Sequence, residues 1–346
     1  MSRMLDEIRQ QPETLARTLA SELRKTEKFR ALIARRKPRL VVLVARGTSD
    51  NAAQFGRYLI EITTGIPVSL AAPSILTLYG SKLNYKEALV VGLSQSGEST
   101  DINQVLEHAR KAGAVTVGIT NEARGSLAGV AEHIFLVRAG REKSVAATKT
   151  YTGQLMALYL LAYALGGKIR IADLEAIPDF AVNALELESE VSAMAERYRF
   201  MHSATVVGRG LNYANAIEFA LKMKETSYVV TEGFSSADFL HGPIAMVEPG
   251  FPAFLFTPSG PTWNSMQEML NRLRDLKAET VVITDRRNPA AANLASRVIS
   301  IPARIPELYS PIPYIIPAQL FSAALAMEKN LNPDRPRALS KVTRNL

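Results

Sequence analysis

Hydroxyl-bearing residues are concentrated in two short loops of this sequence. RGTSDNA (46–52) follows the apolar run LVVLVA, and SQSGEST (94–100) follows the apolar run LVVGL. The candidate ligand-binding residues of these loops are Thr48, Ser49, Ser94, Gln95, Ser96 and Ser99. Hydroxyls and backbone N–H groups at the start of a helix suit a dianionic phosphate, because the donors and the positive end of the helix dipole both face it. The loops therefore predict a phosphate site, and the missing lysine of the GxxxxGK[ST] pattern argues against an ATP loop.

Helix capping is the alternative interpretation of the same loops, since Ser and Thr fill N-cap positions in all kinds of protein. One cap needs one residue. The segment SQSGEST, however, contains four hydroxyls in seven positions. We therefore favour phosphate binding over simple capping.

A second candidate group lies on one predicted helix, EFALKMKE (218–225). Glu218, Lys222 and Glu225 recur there at i, i+4 and i+7, which places them on one helix face. A carboxylate tuned by a neighbouring lysine can act as a general base that takes up a proton and returns it. A solvated face of Glu and Lys is the alternative. Glu232, seven residues after Glu225, is a candidate supporting residue, as is Lys222.

Two further residues offer acid–base or amine chemistry. His241 lies in FLHGPIAMV, and an imidazole exchanges protons near neutral pH, although a lone histidine between Leu and Gly is often a packed core residue. Lys341 lies in ALSKVT near the C-terminus, where the alternative is a solvated, frayed end. Arg335 and Arg337 are expected to anchor this tail rather than to touch a ligand.

The elements that must position these residues alternate along the chain. Short apolar runs at 40–45, 66–72, 89–93 and 115–120 predict strands, and the segments that follow them predict helices. Such alternation is typical of a parallel sheet covered on both faces, in which ligands bind beyond the C-terminal ends of the strands. Both hydroxyl-rich loops lie at those ends. The run 150–165 is apolar nearly all round and predicts a buried helix.

The same pattern recurs in the second half of the chain at a nearly constant offset. Three pairs of landmarks are separated by an offset of 163 or 164 residues. They are Arg-Gly at 46–47 and 209–210, Ser-Gly at 96–97 and 259–260, and Gly-Ile-Thr-Asn at 118–121 with Val-Ile-Thr-Asp at 282–285. The fold class is therefore predicted to be α/β, with two tandem doubly wound, flavodoxin-like units related by internal duplication. The loop TPSGPT (257–262) of the second unit contains two prolines, which lack backbone donors, so phosphate is expected only in the first unit.

The expected division of the chain has five parts. They are an N-terminal helical arm at 1–36, a phosphate-binding unit at 37–166, a helical connector at 167–198, a catalytic unit at 199–331 and a C-terminal tail at 332–346.

Composition excludes several classes of function. Lys and Arg exceed Asp and Glu by 8, but residues 1–40 carry +6 and residues 334–346 carry +3, so the rest of the chain is close to neutral and nucleic-acid binding is not expected. The chain has no cysteine, which excludes disulfides and thiol chemistry on it. Its four histidines show no metal-ligand spacing, and we expect neither a metal nor another cofactor. The start of the chain is charged and no run is apolar over ~18 residues, so no membrane span and a cytoplasmic location are expected.

The motifs together resemble a known family. RGTSDNA, SQSGEST, SVAATKT (144–150), EFALKMKE, DFLHGP (238–243) and RALSKVT (337–343) are similar, in order and spacing, to the double sugar-isomerase (SIS) domain proteins. The resemblance is strongest to the isomerase half of glucosamine-6-phosphate synthase and to stand-alone glucosamine-6-phosphate deaminases and fructosamine-6-phosphate deglycases.

The resemblance implies roles for the candidate residues. Phosphate would be held by Ser49, Ser94, Gln95, Ser96 and Ser99. Ser99 stands where those synthases usually have Thr, which keeps the hydroxyl. The backbone of Val145 would contact the sugar. Ala147 stands where those synthases usually have Ser, which implies one fewer polar contact and a changed substrate preference.

The catalytic roles implied by the resemblance involve three residues. Glu225 would move the proton between C1 and C2, and His241 would open the sugar ring from the neighbouring subunit, which makes a homodimer part of the expectation. The tail would close over the sugar, where Lys341 would form an imine with the open-chain ketose or hydrogen-bond to it.

The expected reaction follows from a departure from the synthases. Their glutaminase domain uses a cysteine nucleophile, whereas here the first predicted strand begins at Leu40 and cysteine is absent. We therefore expect glucosamine-6-phosphate deamination to fructose-6-phosphate and ammonia. The alternatives are a fructosyl-amino-acid 6-phosphate deglycase, an ammonia-dependent synthase-like isomerase and, from another class, a non-catalytic sugar-phosphate sensor. A sensor leaves Glu225, His241 and Lys341 without a role.

Overall fold

The structure, a computed structural model, describes residues 2–341. The strands of this part of the chain are β1 (Leu40–Val44), β2 (Val68–Leu70), β3 (Ala88–Leu93), β4 (Val115–Thr120), β5 (His133–Leu136), β6 (Ser203–Gly208), β7 (Val230–Ser235), β8 (Pro252–Phe256), β9 (Glu279–Asp285) and β10 (Arg297–Ile301). The α-helices are α1 (Arg3–Arg9), α2 (Gln11–Arg36), α3 (Thr48–Thr64), α4 (Ser74–Thr77), α5 (Thr100–Lys111), α6 (Ser126–Val130), α7 (Lys149–Ala164), α8 (Ile171–Glu175), α9 (Ile177–Leu185), α10 (Glu188–Arg197), α11 (Tyr213–Ser227), α12 (Ser236–Leu240), α13 (Trp263–Asp275), α14 (Pro289–Leu294) and α15 (Pro311–Glu328). Short 3-10 helices lie at Gly210–Asn212, Pro243–Met246 and Glu307–Tyr309.

The strands form two five-stranded sheets in which all described pairs are parallel. The first sheet has the order β2-β1-β3-β4-β5, and the second, read from β7, has the order β7-β6-β8-β9-β10. The two orders are identical once each sheet is numbered along the chain. The starts of β1 and β6, and those of β4 and β9, are separated by the same offset as the sequence landmarks. The predicted fold class, with two duplicated doubly wound units, is confirmed.

The central strands are buried on both faces, which explains their uniform apolar sequences. Every residue of β3 and β4 is buried, and the registers Leu89↔Val115 and Val91↔Val117 align their apolar side chains. Burial on both faces removes the polar–apolar alternation of a half-exposed strand. The helix predicted at 150–165 is α7, whose side chains are almost all buried, and α15 is its buried counterpart in the second half.

The described residues pack as two compact units. The first-sheet unit contains residues 13–142, 149–175 and 340–341, and the second-sheet unit contains residues 2–12, 143–148 and 176–339. The predicted N-terminal helix is two helices, because the chain departs from helical hydrogen bonding at Gln10 between α1 and α2. Of the predicted connector, α9 and α10 pack against α15. No helix between residues 2 and 341 is long and apolar enough to cross a membrane.

Candidate active site

The two hydroxyl-rich loops lie at the reversal point of the first sheet. β2 and β3 flank β1 on opposite sides, so the chain changes direction between β1 and β3, where doubly wound sheets open a crevice for ligands. The loop after β1 leads into α3, and the loop after β3 leads into α5. Gly47 permits the first entry, since its φ of 55° is one that other residues rarely adopt. Two helix N-termini therefore start beside each other in this crevice.

The hydroxyls of the SQSGEST loop bond to each other and to the loop backbone. Ser94 Oγ lies 3.1 Å from Ser99 Oγ and accepts a hydrogen bond from the backbone N–H of Gly97 at 3.1 Å. Ser96 Oγ accepts from the N–H of Glu98 at 3.3 Å. Ser99 is the N-cap residue of α5, yet its side chain makes no capping bond. At Ser99 the capping interpretation therefore fails, because its hydroxyl is turned to Ser94 instead of to the helix.

The remaining loop residues are held by neighbours that the sequence did not reveal. Gln154 of α7, fully buried, donates from Nε2 to Ser49 Oγ at 2.9 Å, which leaves the hydroxyl hydrogen of Ser49 to donate elsewhere. Arg46 joins the two loops through an ion pair of 2.8 Å with Asp101 in the first turn of α5. The backbone carbonyl of Gln95 accepts a hydrogen bond from the backbone N–H of Asn121 at 3.2 Å. Thr48 is the first residue of α3. Gln154 and Arg46 are thus added to the candidate site as residues that position it.

The equivalent crevice of the second sheet is occupied by the protein itself. A carboxylate oxygen of Glu307 accepts a hydrogen bond from the backbone N–H of Thr262, the N-cap residue of α13, at 3.2 Å. A side chain at Gly260, in the same loop, would collide with that carboxylate. Burial raises the pKa of Glu307, while the bonds from Thr262 act in the opposite direction. An internal anion therefore lies where the first unit offers an open loop.

The predicted trio of α11 is assembled as its spacing indicated, but it is buried rather than solvated. Lys222 Nζ lies 2.6 Å from Glu225 Oε2 and 3.3 Å from Glu218 Oε1. Lys222 and Glu218 are almost fully buried, whereas the side chain of Glu225 is 22% exposed. Burial alone would lower the pKa of Lys222, but the two carboxylates outweigh it and raise that pKa above its usual range. Lys222 is therefore a permanent cation that fixes one partly accessible carboxylate.

Replacing this lysine is expected to cost much of the stability of the fold. Lys222→Met leaves the carboxylate of Glu218 buried without its counter-charge, which we expect to lower the free energy of unfolding by about 3–5 kcal/mol. Because the pKa of Lys222 is raised on folding, its stabilising contribution is complete below pH ~10 and is lost only at higher pH. Urea unfolding at pH 7 measures the loss, and the same measurement at pH 9, still below that range, should give an equal loss.

The matched control is Lys224→Met, because Lys224 is exposed on the same helix. We expect this change to alter the free energy of unfolding by less than about 0.5 kcal/mol. Equal losses in the two variants would contradict the assignment of the buried lysine as a structural cation.

Two other predicted residues of the second-sheet unit are exposed at the surface. Glu232 is exposed in the middle of the edge strand β7, where its carbonyl accepts from Thr205 Oγ1 at 3.4 Å. His241 is exposed directly after α12, and its N–H donates to the carbonyl of Asp238 at 3.1 Å. The packed-core alternative for His241 is therefore wrong, because its side chain faces outward.

The predicted lysine of the tail is paired with a buried carboxylate that was not predicted. Lys341 Nζ lies 2.7 Å from Glu142 Oε2. Glu142 is fully buried in its side chain and also accepts from Thr150 Oγ1 at 2.6 Å and from the N–H of Thr150 at 3.2 Å. The frayed-end alternative does not hold at this residue. A glutamate three positions before Val145 was the available signal, but nothing local linked it to the tail.

The remaining predicted residues lie on the tail and on one short segment. Val145 and Ala147 are half-buried in the segment 143–148 of the second-sheet unit. Arg337 anchors the tail as expected, since its guanidinium lies 4.2 Å from the ring centre of Tyr228 and its N–H donates to the Tyr228 hydroxyl at 2.8 Å. Within residues 2–341, no group of three or more His, Asp or Glu side chains is arranged to hold a metal ion.

Comparison with known proteins identifies relatives over nearly the whole chain. Residues 34–164 and 200–329 each match the SIS domain model. A glutamine–fructose-6-phosphate aminotransferase (isomerizing) of Pyrococcus horikoshii is 32% identical over 98% of this chain and 57% of that protein. The C-terminal domain of glucosamine-fructose-6-phosphate aminotransferase from Francisella tularensis has a TM-score of 0.89 at 28% identity, covering 97% of this chain and 98% of that one. A candidate phosphosugar isomerase from Silicibacter pomeroyi has a TM-score of 0.87 at 30% identity, covering 96% and 100%.

The fold and the crevice define a tandem doubly wound α/β protein with one hydroxyl-lined reversal point. The chain belongs to the SIS domain family, with two SIS domains in tandem, and it is homologous to part of the isomerizing aminotransferases. It spans little more than half the length of the curated relatives it matches. The family resemblance found in the sequence motifs is confirmed.

Proposed function

We propose that this chain is a phosphosugar isomerase that acts on amino sugar phosphates and converts glucosamine-6-phosphate and water to fructose-6-phosphate and ammonia. The observation that carries the proposal is the 2.6 Å pair between buried Lys222 and partly exposed Glu225. A carboxylate fixed beside a permanent cation suits a general base that must take up and return one proton. Membership of a family whose relatives are named as isomerizing aminotransferases supports the same chemistry.

Phosphate recognition is assigned to the first-sheet crevice. Ser49, Ser94 and Ser99 supply hydroxyl donors at the starts of α3 and α5, where the helix dipoles favour an anion. The second crevice already contains the carboxylate of Glu307, which would repel a phosphate. The proposal therefore includes one substrate for each chain.

Isomerisation is assigned to Glu225. Once the ring is open, Glu225 removes the proton on C2 while the aldehyde oxygen gains a proton, which gives an enolamine. Return of the proton to C1, with loss of a proton from the C2 amine, leaves CH₂OH at C1 and an imine at C2. The sugar has then changed from aldose to ketose without a change in its oxidation state.

Amine release is assigned to Lys341. Its Nζ adds to the C2 imine, the bond between C2 and the original nitrogen breaks, and ammonia leaves; water then hydrolyses the new imine to fructose-6-phosphate and free Lys341. Before it can add, the lysine ammonium must lose a proton. Glu142 Oε2, 2.7 Å away, is placed to accept it.

The test is a product assay with two substrates. Purified protein is incubated separately with glucosamine-6-phosphate and with fructoselysine-6-phosphate, and ammonia, lysine and fructose-6-phosphate are measured. Ammonia and fructose-6-phosphate in equal amounts from the first substrate support the proposal. Lysine from the second substrate without ammonia from the first would establish a deglycase instead, and no turnover of either substrate would overturn the proposed function.

We also propose that the active form is a homodimer in which His241 serves the partner's substrate. His241 is exposed, and two residues close to it in the sequence, Leu240 at 37% and Met246 at 45%, are exposed apolar side chains. A surface of this kind suits a symmetric interface between copies of the chain. An imidazole at such a surface can act as acid and base for ring opening in the neighbouring chain.

Subunit complementation tests this arrangement. Glu225→Gln and His241→Asn chains, each inactive alone, are expected to regain about one quarter of wild-type turnover when they are co-expressed, because half of the dimers are mixed and one of their two sites is intact. The measurement is glucosamine-6-phosphate turnover by the purified mixture. A mixture as inactive as its two components would show that His241 acts within its own chain or not at all.

A further inference from the structure

We propose that the N-terminal helix α1 is a positioning element for the substrate-contacting segment 143–148, and that Glu7 is the residue through which it acts. The carboxylate of Glu7 accepts hydrogen bonds from two consecutive backbone N–H groups, those of Lys143 and Ser144, the latter at 3.1 Å. Glu7 is only 5% exposed, and Ser144 is fully buried. This inference rests on the proposed function and on the family resemblance, which implies that the backbone of Val145, in the same segment, contacts the sugar.

The far end of the segment is held from the same part of the chain. The carbonyl of Thr148 accepts from Gln319 Nε2 at 3.4 Å, and Gln319 Oε1 accepts from Gln11 Nε2 at 2.8 Å. Gln11 and Gln319 are both fully buried. Glu7 of α1 therefore holds the start of the segment directly, and Gln11, the first residue of α2, is linked to its end through Gln319.

The helix α1 is itself fixed by the chain that leads to the tail. Asp334 accepts from Ser2 Oγ at 2.9 Å and from the N–H groups of Arg3 at 2.9 Å and Met4 at 2.8 Å. A carboxylate at a helix N-terminus satisfies otherwise unpaired N–H groups and complements the helix dipole. Glu7 is therefore presented by a helix that is held at its start.

Loss of the Glu7 carboxylate removes the acceptor for two N–H groups next to Val145. Charged acceptors make the stronger hydrogen bonds in proteins, and a buried donor without a partner is costly. The segment is then expected to relax, and a displacement of about 1 Å can reduce catalysis about 100-fold. Glu7 makes no assigned contact with substrate, so it is a positioning residue.

The test combines kinetics with amide hydrogen exchange on the full chain. Glu7→Ala is expected to reduce kcat/KM for glucosamine-6-phosphate about 10–100-fold and to speed exchange at residues 143–148, while exchange in α1 and binding of inorganic phosphate stay as in wild type. Glu7→Gln retains one acceptor oxygen, so its kcat/KM and its exchange rate at residues 143–148 should lie between those of wild type and Glu7→Ala. It also replaces Glu7→Ala in the comparison if the alanine variant does not fold. Arg9→Ala is the matched control, because Arg9 lies on the same helix in an exposed ion pair with Glu188 and should leave both readouts unchanged.

The outcomes separate this inference from the proposed function. Absence of turnover in the wild-type protein overturns the proposed function, but hydrogen exchange at residues 143–148 still shows whether Glu7 holds this segment. Unchanged exchange there in Glu7→Ala overturns the inference even if the enzyme is active. Faster exchange along the whole of α1 overturns it as well, since Glu7 would then dock the helix rather than hold the segment.

Discussion

Glu225→Gln is expected to reduce glucosamine-6-phosphate turnover by roughly 10²–10⁴-fold, the contribution of a positioned general base. The amide is nearly the same size as the carboxylate, and its oxygen can still accept the hydrogen bond from Lys222. It cannot accept a proton from carbon. Lys222 keeps Glu218 at 3.3 Å as a buried counter-charge, so the helix should remain folded.

The measurement is steady-state turnover together with calorimetric binding of inorganic phosphate. Turnover should fall while the phosphate affinity stays within about twofold of wild type, because the phosphate loops contain none of the changed atoms. Glu268→Gln is the matched control, since Glu268 is an exposed helical glutamate near an arginine of its own helix, Arg272. Undiminished turnover in Glu225→Gln would remove Glu225 from the mechanism, whereas phosphate binding without turnover in both wild type and variant would favour the non-catalytic sensor.

The elements of the fold could be predicted because their signals are local. Apolar runs marked β1, β3 and β4 to within a residue or two of their ends, since strands buried on both faces show no polar positions. The shared offset then fixed the duplication, and the common order of the two sheets follows from it. The break between α1 and α2 was missed, although Pro12, which lacks a backbone donor and is favoured in the first turn of a helix, was an available signal for it.

The candidate residues could be predicted where chemistry and spacing coincide on one element. Glu218, Lys222 and Glu225 share a helix face, so their pairing follows from helical periodicity. Their burial does not follow from it, because a charged trio on a helix usually faces solvent. Only the packing of α11 against β6, β7 and α15 removes them from water.

Hydrogen-bond and ion-pair partners that are distant in the sequence could not be predicted from it. Gln154 bonds to Ser49 across 105 positions, Glu7 to Ser144 across 137, and Glu142 to Lys341 across 199. Burial of Gln154 could be expected from the apolar run around it, but the neighbours in sequence of these residues do not indicate which distant residue each one contacts. Such pairs are set by the relative placement of packed elements, which single-sequence patterns do not encode.

The duplication explains why one crevice is open and its counterpart is closed. Glu307 follows Ser144 by the same offset that separates the starts of β1 and β6, so it corresponds in the second half to the segment 143–148 in the first. There its carboxylate bonds to the start of α13. The repeated unit has thus kept the loop that can bind an anion but supplies the anion from its own chain.

Lys341→Arg is expected to abolish ammonia release from glucosamine-6-phosphate, with a loss of at least about 100-fold, because a guanidinium remains protonated and cannot add to an imine. Arginine retains the positive charge, so the ion pair with Glu142 and the position of the tail should be preserved. The substitution therefore removes the amine chemistry and leaves the electrostatics of the tail in place.

Borohydride trapping provides the decisive measurement. Wild-type protein mixed with fructose-6-phosphate and reduced with sodium borohydride is expected to gain a sugar phosphate on the peptide that contains Lys341, whereas Lys341→Arg gains none. Lys329→Arg is the control, since Lys329 Nζ bonds to the carbonyl of Met201 at 2.7 Å and has no assigned role in the reaction. An adduct on another lysine, or ammonia release by Lys341→Arg at the wild-type rate, would contradict the imine and leave Lys341 only a hydrogen-bonding role.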